Sequence, residues 1–212
     1  MSALVQHRGA GDLLLGLDGG SCWEVLPLEP DVDAARWAAR TASRRLAADG
    51  LDAADVPHLL AGLRADLEEL VRCERQRLDP RSSLALALLP DPAEGPLCTV
   101  EVTFVPAPAH ARSRGALLRL AAQLSGRGHR IGRVHRSEVS AAAGAGVRNR
   151  YLTTTRAADG RVGVAERCAL VLSSEAGGWL LAQATWPATA VSALVEAEVD
   201  RLLAGTTLEE AP

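Results

Sequence analysis

Apolar and polar positions repeat with two different periods along the chain, and the change falls near residue 84. Before it, apolar residues recur every three or four positions, as they do on one face of a helix. This period predicts a first helix over Asp33 to Ala48, which Asp49-Gly50 ends, and a second helix that begins at Pro57 with Asp55 as its cap. The apolar stripe of the second helix consists of Leu59, Leu60, Leu63, Leu67, Leu70 and Val71.

From residue 84 onward the period shortens to two, which predicts β-strands. The six strand-like segments are residues 84–89, 99–105, 129–139, 146–156, 161–173 and 178–186. A helix from Arg112 to Leu124 separates the second of these segments from the third. Pro187 is expected to open a last helix, which Gly205 ends.

The order of these elements predicts the fold class. Two helices followed by β-β-α-β-β-β-β-α indicate an α+β fold, because hairpin turns at Ala157 to Gly160 and at Ser174 to Gly178 join strands of an antiparallel sheet. We expect a sheet of about six strands covered by helices, with two extra N-terminal helices and a short strand within Trp23 to Leu28. Residues 1–80 are predicted to be a segment whose two helices pack on the main domain, residues 84–205, so that both form a single compact unit.

The segment from residue 84 to 205 resembles the PsbP/Mog-type fold in its element order and in one strand-to-helix junction. That junction reads Leu181-Ala182-Gln183-Ala184-Thr185-Trp186-Pro187. The group includes photosystem-associated PsbP proteins, Ran-binding Mog proteins, actinobacterial lipoproteins and Eag-type secretion chaperones. The resemblance implies a module that acts by binding proteins and that has no shared catalytic motif. No anchor of the lipoprotein branch is expected, because Gly19-Gly20-Ser21-Cys22 lacks the aliphatic residue of a lipobox.

Composition excludes several classes of protein. Shares of 48% hydrophobic and 23% charged residues exclude a disordered or fibrous chain. All 23 basic residues are arginine, as in proteins of high-GC genomes, which excludes lysine nucleophiles, Schiff bases and the P-loop lysine. The four cysteines are too widely spaced for a disulfide framework, which predicts free thiols in a reducing cytosol. The apolar run Leu13 to Leu17 is too short for a signal peptide or a membrane span, so a cytoplasmic protein without membrane contact is expected.

Charge is distributed unevenly, and this is the strongest functional signal in the sequence. Residues 112–156 contain 10 arginines and one acidic residue. Residues 1–111 contain 10 arginines and 17 acidic residues, and residues 157–212 contain 3 arginines and 8 acidic residues. A basic segment between acidic ones suits a partner protein with an acidic surface. The alternative interpretation is that these arginines pair with acidic residues of the other segments in a solvated network.

Five arginines and one tryptophan are the candidate binding residues. They are Arg130, Arg133, Arg136, Arg148, Arg150 and Trp179. Arg130 and Arg136 share strand parity, as do Arg148 and Arg150, so adjacent strands of a hairpin are expected to place several guanidinium groups on one sheet face, where they suit carboxylate or phosphate. Trp179 and Trp186 differ in parity, so one of them either anchors a partner outside the core or packs under a helix.

No catalytic residue, cofactor or metal site is predicted. The chain lacks H-E-x-x-H, C-x-x-C and G-x-S-x-G motifs. Gly144-Ala145-Gly146 precedes a strand and not a helix, so we interpret it as a bend or bulge and not as a phosphate-binding loop. His129 and His135 lie about 20 Å apart on a regular strand, too far to share a metal. Nucleic acid is not an expected partner, because Tyr151 is the sole aromatic residue of the basic segment and the net charge is −3.

Three functions from different classes remain open. The preferred prediction is a non-enzymatic protein-binding module, such as an adaptor, chaperone or assembly factor. It would contact its partner through the sheet face carrying Arg148 and Arg150, or through an apolar groove beside the N-terminal helices. The second is a small-anion-binding protein or enzyme that uses Arg130, Arg133, Arg148 and Arg150, with one of the two histidines at hand. The third is a self-assembling structural subunit, such as a homodimer built through the N-terminal helices.

Overall fold

The structure is a computed structural model that describes residues 4–8, 13–18, 22–79, 83–107, 113–125, 130–156, 162–174, 177–187 and 191–210. Within these ranges a small sheet is formed by β1 (Leu4–Arg8), β2 (Leu13–Asp18) and β10 (Thr207–Glu210). A larger sheet is formed by β3 (Trp23–Val25), β4 (Ser83–Leu88), β5 (Cys98–Pro106), β6 (Arg130–Ala141), β7 (Gly144–Arg156), β8 (Val162–Ser174) and β9 (Gly178–Pro187). The helices are α1 (Ala34–Ala48), α2 (Pro57–Arg77), α3 (Arg114–Ser125) and α4 (Ser192–Ala204).

The larger sheet is antiparallel throughout and runs in the order β3-β4-β5-β9-β8-β7-β6. The α+β class and the antiparallel sheet covered by helices are therefore confirmed. In the described part of the chain this sheet has seven strands instead of about six, because the short strand expected near Trp23 pairs with β4. The smaller sheet was not predicted, since the first 30 residues have no steady hydrophobic period.

Helices cover both faces of the larger sheet. Directly opposite residues of antiparallel strands point to the same face. One face packs against α4, and a row across it from β4 to β6 is Leu86, Val100, Ala184, Cys168, Arg150 and His135. The other face packs against α1 and α2 at β4 and against α3 at β7 and β8. We call these two surfaces the α4 face and the α3 face.

The packing of α1 and α2 on β4 uses small side chains on the strand. Ala85 and Ala87 are fully buried and leave room for Ala38 of α1 and for Leu63 and Leu67 of α2. Burying each leucine contributes about 2 kcal/mol. The apolar stripes of both helices are thus used within the chain.

One predicted helix cap and one predicted helix start are wrong, while the predicted start of α2 at Pro57 is confirmed. Val56, and not Asp55, precedes α2, and it makes no side-chain cap; Pro57 occupies the first turn, where a missing N–H costs no helix bond. Pro187 ends β9 instead of opening the last helix, which begins at Ser192. Proline is accepted at the end of a strand because few ladder bonds are lost there.

The turns follow the expectations where the structure describes them. The β8–β9 hairpin at Ser174 to Gly178 is confirmed, and Gly177 has a φ of 95°. Gly144, where a bend or bulge was expected, has a φ of 141° just after the β6–β7 turn. The turn expected at residues 157–160 lies outside the described residues. Among the described helices, none is long and apolar enough to cross a membrane.

Candidate binding groove

The row of side chains across the α4 face changes character at β7 and β6. Cys168 is buried, whereas the next two positions, Arg150 and His135, are charged or polar and more exposed. β6 is the outermost strand on this side of the sheet. Its pairing with β7 shifts register between Ile131 and His135, where Gly132 has a φ of 71°. Such a bulge bends the strand locally and leaves space beside it.

An open groove of about 580 Å³ lies at this position. Its lining includes Arg133, Arg136, Arg148 and Arg150, which are four of the six candidate residues, together with His135. The remaining lining residues belong to β6, β7, β8 and α4. The structure therefore brings most of the predicted arginines to one cavity.

Arg150 links three elements at the floor of the groove. Its Nε donates to Oε1 of Glu166 at 2.6 Å, and its terminal nitrogens form ion pairs with Glu166 on β8 and Glu196 on α4. The second carboxylate oxygen of Glu166 accepts from the indole N–H of the buried Trp186 at 3.1 Å. Burial lowers the pKa of Arg150, but the hydrogen bond to Glu166 and the two carboxylate charges outweigh it and raise that pKa above its ordinary value.

Arg148 makes a similar link two residues earlier on β7. It pairs with Asp200 of α4, and its Nε donates to the Ser137 hydroxyl at 3.2 Å. A second cavity of about 220 Å³ is also lined by Ser137 and Arg148 and extends the groove along β6 and α4. Arg148 and Arg150 are thus paired within the chain, as the alternative interpretation of the basic segment expects for these residues.

Arg130 and Arg136 lie on the other face of the sheet from Arg148 and Arg150. Arg130 is opposite Thr153 and Arg136 is opposite Asn149, which are α3-face positions of β7. The hairpin therefore places two arginines of β7 on one sheet face and these two arginines of β6 on the other. The register of β6 against β7 decides whether the odd- or the even-numbered residues of β6 share a face with Arg148 and Arg150. The alternation within one strand does not specify that register.

The exposed arginines of β6 differ in how they are held. Arg136 donates from Nε to the side-chain oxygen of Asn149 at 3.0 Å, and the amide of Asn149 donates to the carbonyl of Ala121 on α3 at 3.1 Å. Arg133, at the bulge, is exposed and forms no ion pair with any described residue. The positive charge of Arg133 is therefore available at the rim of the groove.

Exposed apolar side chains lie at the end of the groove beyond the N-terminus of α4. Ile131 and Leu152 are directly opposite each other on the α4 face and are 38% and 37% exposed. Val164 and Val162, on the same face of β8, are 45% and 60% exposed. Sequence reasoning missed this patch, although the alternation along residues 146–156 already put Leu152 on the face of Arg148 and Arg150.

Trp179 lies outside the groove. It is half-buried on the α3 face, against the cluster that α3 forms with Tyr151 and Val171, and its indole N–H is buried without a hydrogen-bond partner among the described residues. Trp186 is buried on the α4 face, so the prediction that the two tryptophans face opposite ways is confirmed. A role of Trp179 as a partner anchor stays a prediction.

The described residues hold no cluster of metal-binding side chains. No group of three or more His, Cys, Asp or Glu side chains among them has the geometry of a metal site. His135 is exposed at the groove, and His129 lies outside the described residues. All four cysteines are free thiols. Burial raises the pKa of Cys98, and raises the pKa of Cys168 to about 12, so both remain protonated at neutral pH.

Comparison with known proteins yields distant structural matches. No family model and no curated protein matches the chain. LpqN, involved in cell envelope biogenesis of Mycobacterium tuberculosis, aligns with a TM-score of 0.42 and 11% identity over 100% of this chain and 91% of its own. The Saccharomyces cerevisiae Ran-binding protein Mog1p aligns with a TM-score of 0.41 and 8% identity over 66% of this chain and 84% of its own. The matches thus include the Mog proteins of the group that the sequence resembles, but likeness at this level carries no argument about function.

Proposed function

We propose that the protein is a non-enzymatic, cytoplasmic binding module that holds an acidic, partly apolar segment of a partner protein in the groove beside β6. Such a module acts as an adaptor, chaperone or assembly factor. The observation that carries the proposal is that exposed apolar side chains and Arg133, which forms no ion pair with any described residue, line one open cavity.

The apolar end of the groove supplies the driving force for binding. Ile131 and Leu152 keep more than a third of their surface in water, and Val164 on the same face keeps more. Covering each of them contributes about 1 kcal/mol, and neighbouring exposed apolar side chains in a concave surface are typical of interaction sites.

Charge supplies the selectivity. The carboxylates of Asp200, Glu166 and Glu196 outnumber Arg148 and Arg150 by one, so the positive charge of the groove comes from Arg133 and Arg136 of β6. Arginine at the rim of an interface steers an acidic partner and rejects a basic one, more through the association rate than through affinity. A segment that contains both acidic and apolar residues fits the groove, because its acidic residues suit the arginines of β6 and its apolar residues suit the apolar end.

The small-anion function has weaker support. It needs guanidinium donors that converge on one ligand, yet Arg148 and Arg150 direct theirs to carboxylates of this chain. A bound phosphate would have to displace Glu196 and Asp200. Calorimetric titration with inorganic phosphate at millimolar concentration is therefore expected to show no saturable heat.

Self-assembly through the N-terminal helices also has weaker support. The apolar stripes of α1 and α2 are buried against Ala85 and Ala87 of β4, and the outer face of α2 carries charged pairs such as Glu69 with Arg72. That packing supports the proposal that residues 1–80 and 84–205 form a single unit, and it leaves no apolar stripe on these helices for a second copy.

Selection from a peptide display library tests the proposal. Immobilised wild-type protein is expected to enrich sequences that combine acidic and apolar residues, and Leu152→Asp is expected to abolish that enrichment by placing a carboxylate in the groove. Leu51→Asp is the matched control, since Leu51 is 38% exposed but lies between α1 and α2. No acidic enrichment by the wild type, or the same enrichment by Leu152→Asp, would contradict the proposal.

A further inference from the structure

The free edge strand β6 borders the groove between Ile131 and Ser137 and the smaller cavity between Ser137 and Ala141. β6 is 12 residues long and ends the sheet order, and no described strand pairs with its outer side. An edge strand presents a row of unpaired backbone N–H and C=O groups. A peptide in extended conformation can form hydrogen bonds with these groups and add a further strand to the sheet.

The bulge limits which part of this edge is regular. Register with β7 is continuous from His135 to Ala141, whereas it shifts between Ile131 and His135. The seven residues from His135 to Ala141 therefore offer an uninterrupted template. Both cavities border this segment, since Ser137 lines the larger and the smaller one.

We propose that the partner segment binds as an extended acidic strand that adds to the outer edge of β6 at His135 to Ala141, with alternate side chains reaching the groove. This inference rests on the proposed function and specifies its binding mode. Backbone hydrogen bonds along the edge would fix the register, while the groove and Arg133 would read the side chains.

Charge selects an acidic segment over a second copy of this chain. β6 carries Arg130, Arg133 and Arg136, and its one carboxylate, Glu138, is paired with Arg114 of α3. Antiparallel pairing of two copies over the same seven residues would put Glu138 opposite Glu138. Like charges directly opposite in a sheet are destabilising, whereas an acidic strand complements the same edge.

Methylation of backbone nitrogens in a peptide probe tests whether the segment binds by adding a strand to β6. The probe is a fluorescein-labelled octapeptide in which glutamate alternates with valine, and its binding to the full chain is followed by fluorescence polarisation. Two derivatives carry N-methyl groups on all glutamates or on all valines. An added strand uses the N–H groups of alternate residues only, so one derivative is expected to bind at least about tenfold more weakly while the other binds like the parent.

The outcomes separate the mode from the function. If both derivatives bind like the parent, or lose affinity equally, strand addition is wrong although the groove still binds an acidic segment. If the parent does not bind, both proposals fail. Amide hydrogen exchange gives a second measure: the probe is expected to slow exchange at His135 to Ala141, and unchanged exchange there overturns the inference. A wild-type dimer whose interface protects this edge also overturns it.

Discussion

Glu166 is the residue on which the groove floor depends. It is buried, and its two oxygens accept from Arg150 on β7 and from Trp186 on β9. Arg150 also pairs with Glu196 of α4. The carboxylate of Glu166 therefore links side chains of β7, β8 and β9, and through Arg150 it links them to the covering helix. This buried charge is costly to remove, because Trp186 stays buried and Arg150 stays partly buried without an acceptor.

Replacing Glu166 by alanine is expected to lower the free energy of unfolding by about 3 kcal/mol, since Arg150 and the indole of Trp186 lose their acceptor. Glu196→Ala removes the other carboxylate on Arg150, which is more exposed, and is expected to cost less than about 1 kcal/mol. Urea unfolding followed by tryptophan fluorescence measures both. Equal losses for the two variants would show that the buried network is not the stabilising part.

The candidate arginines were predictable from the sequence, but their partners were not. Arg148 and Arg150 stand out because the segment around them has one acidic residue in 45. Glu196 and Asp200 lie about 50 residues further along the chain, and only the placement of α4 over β7 brings them near. No local pattern encodes a contact of that separation.

At the scale of elements, helices were predicted more accurately than strand register. The strong apolar stripe of α2 predicted the helix, because a helix must bury such a stripe, and Pro57 predicted its start because proline suits the first turn. The face on which Arg130 and Arg136 lie depends instead on the β6–β7 turn and on the bulge at Gly132. A shift of the β6–β7 register by one residue would move every side chain of β6 to the opposite face of the sheet.

The close pairing of β7 with β8 gives an element-scale prediction. An alanine Cβ at Gly146 would overlap the carbonyl of Val171 and lie 2.8 Å from the Cα of Leu172, so Gly146→Ala must push the strands apart. We expect a loss of about 3 kcal/mol or more in the free energy of unfolding. Gly62→Ala on α2 meets no atom within 4 Å and is expected to gain about 0.5–1 kcal/mol through helix propensity. Thermal unfolding of both variants checks the signs, and a neutral Gly146→Ala would contradict the pairing.

A buried carboxylate between α2 and β5 gives a pH-dependent prediction. Arg77 pairs with Glu74 on α2 and with Glu101 on β5. Burial raises the pKa of Glu74 above its ordinary 4.5, against the opposing effect of Arg77, so the folded protein holds a proton that the unfolded chain has released. The stability this gives is complete below pH 4.5 and is lost as the pH rises through the folded-state pKa.

Glu74→Gln removes that titration. Relative to the variant, the wild type is expected to lose stability as the pH rises from about 4 to about 7, because the folded state binds the Glu74 proton more tightly than the unfolded chain does. Glu68→Gln, an exposed position on the same helix, is the control and is expected to follow the wild type. Urea unfolding at several pH values measures the difference. A difference that is constant or of opposite sign would show that Glu74 does not carry the effect.

At the scale of the molecule, acidic and basic segments are folded against each other. Most of the charge of the basic segment on the α4 face is cancelled by α4 and β8, which leaves Arg133 beside exposed apolar residues at an open sheet edge. The net charge of −3 hides this local positive surface. Binding is therefore expected to depend on this side of the molecule and to weaken as the salt concentration rises.

Charge reversal at the rim tests this claim most directly. The octapeptide of alternating glutamate and valine is titrated into the wild type, into Arg133→Glu and into Arg40→Glu, an exposed arginine on α1 that undergoes the same charge change. At low ionic strength, Arg133→Glu is expected to weaken binding by about fivefold or more, Arg40→Glu by less than about twofold, and salt should reduce the difference. Equal effects of the two reversals, or unchanged binding in Arg133→Glu, would contradict the account.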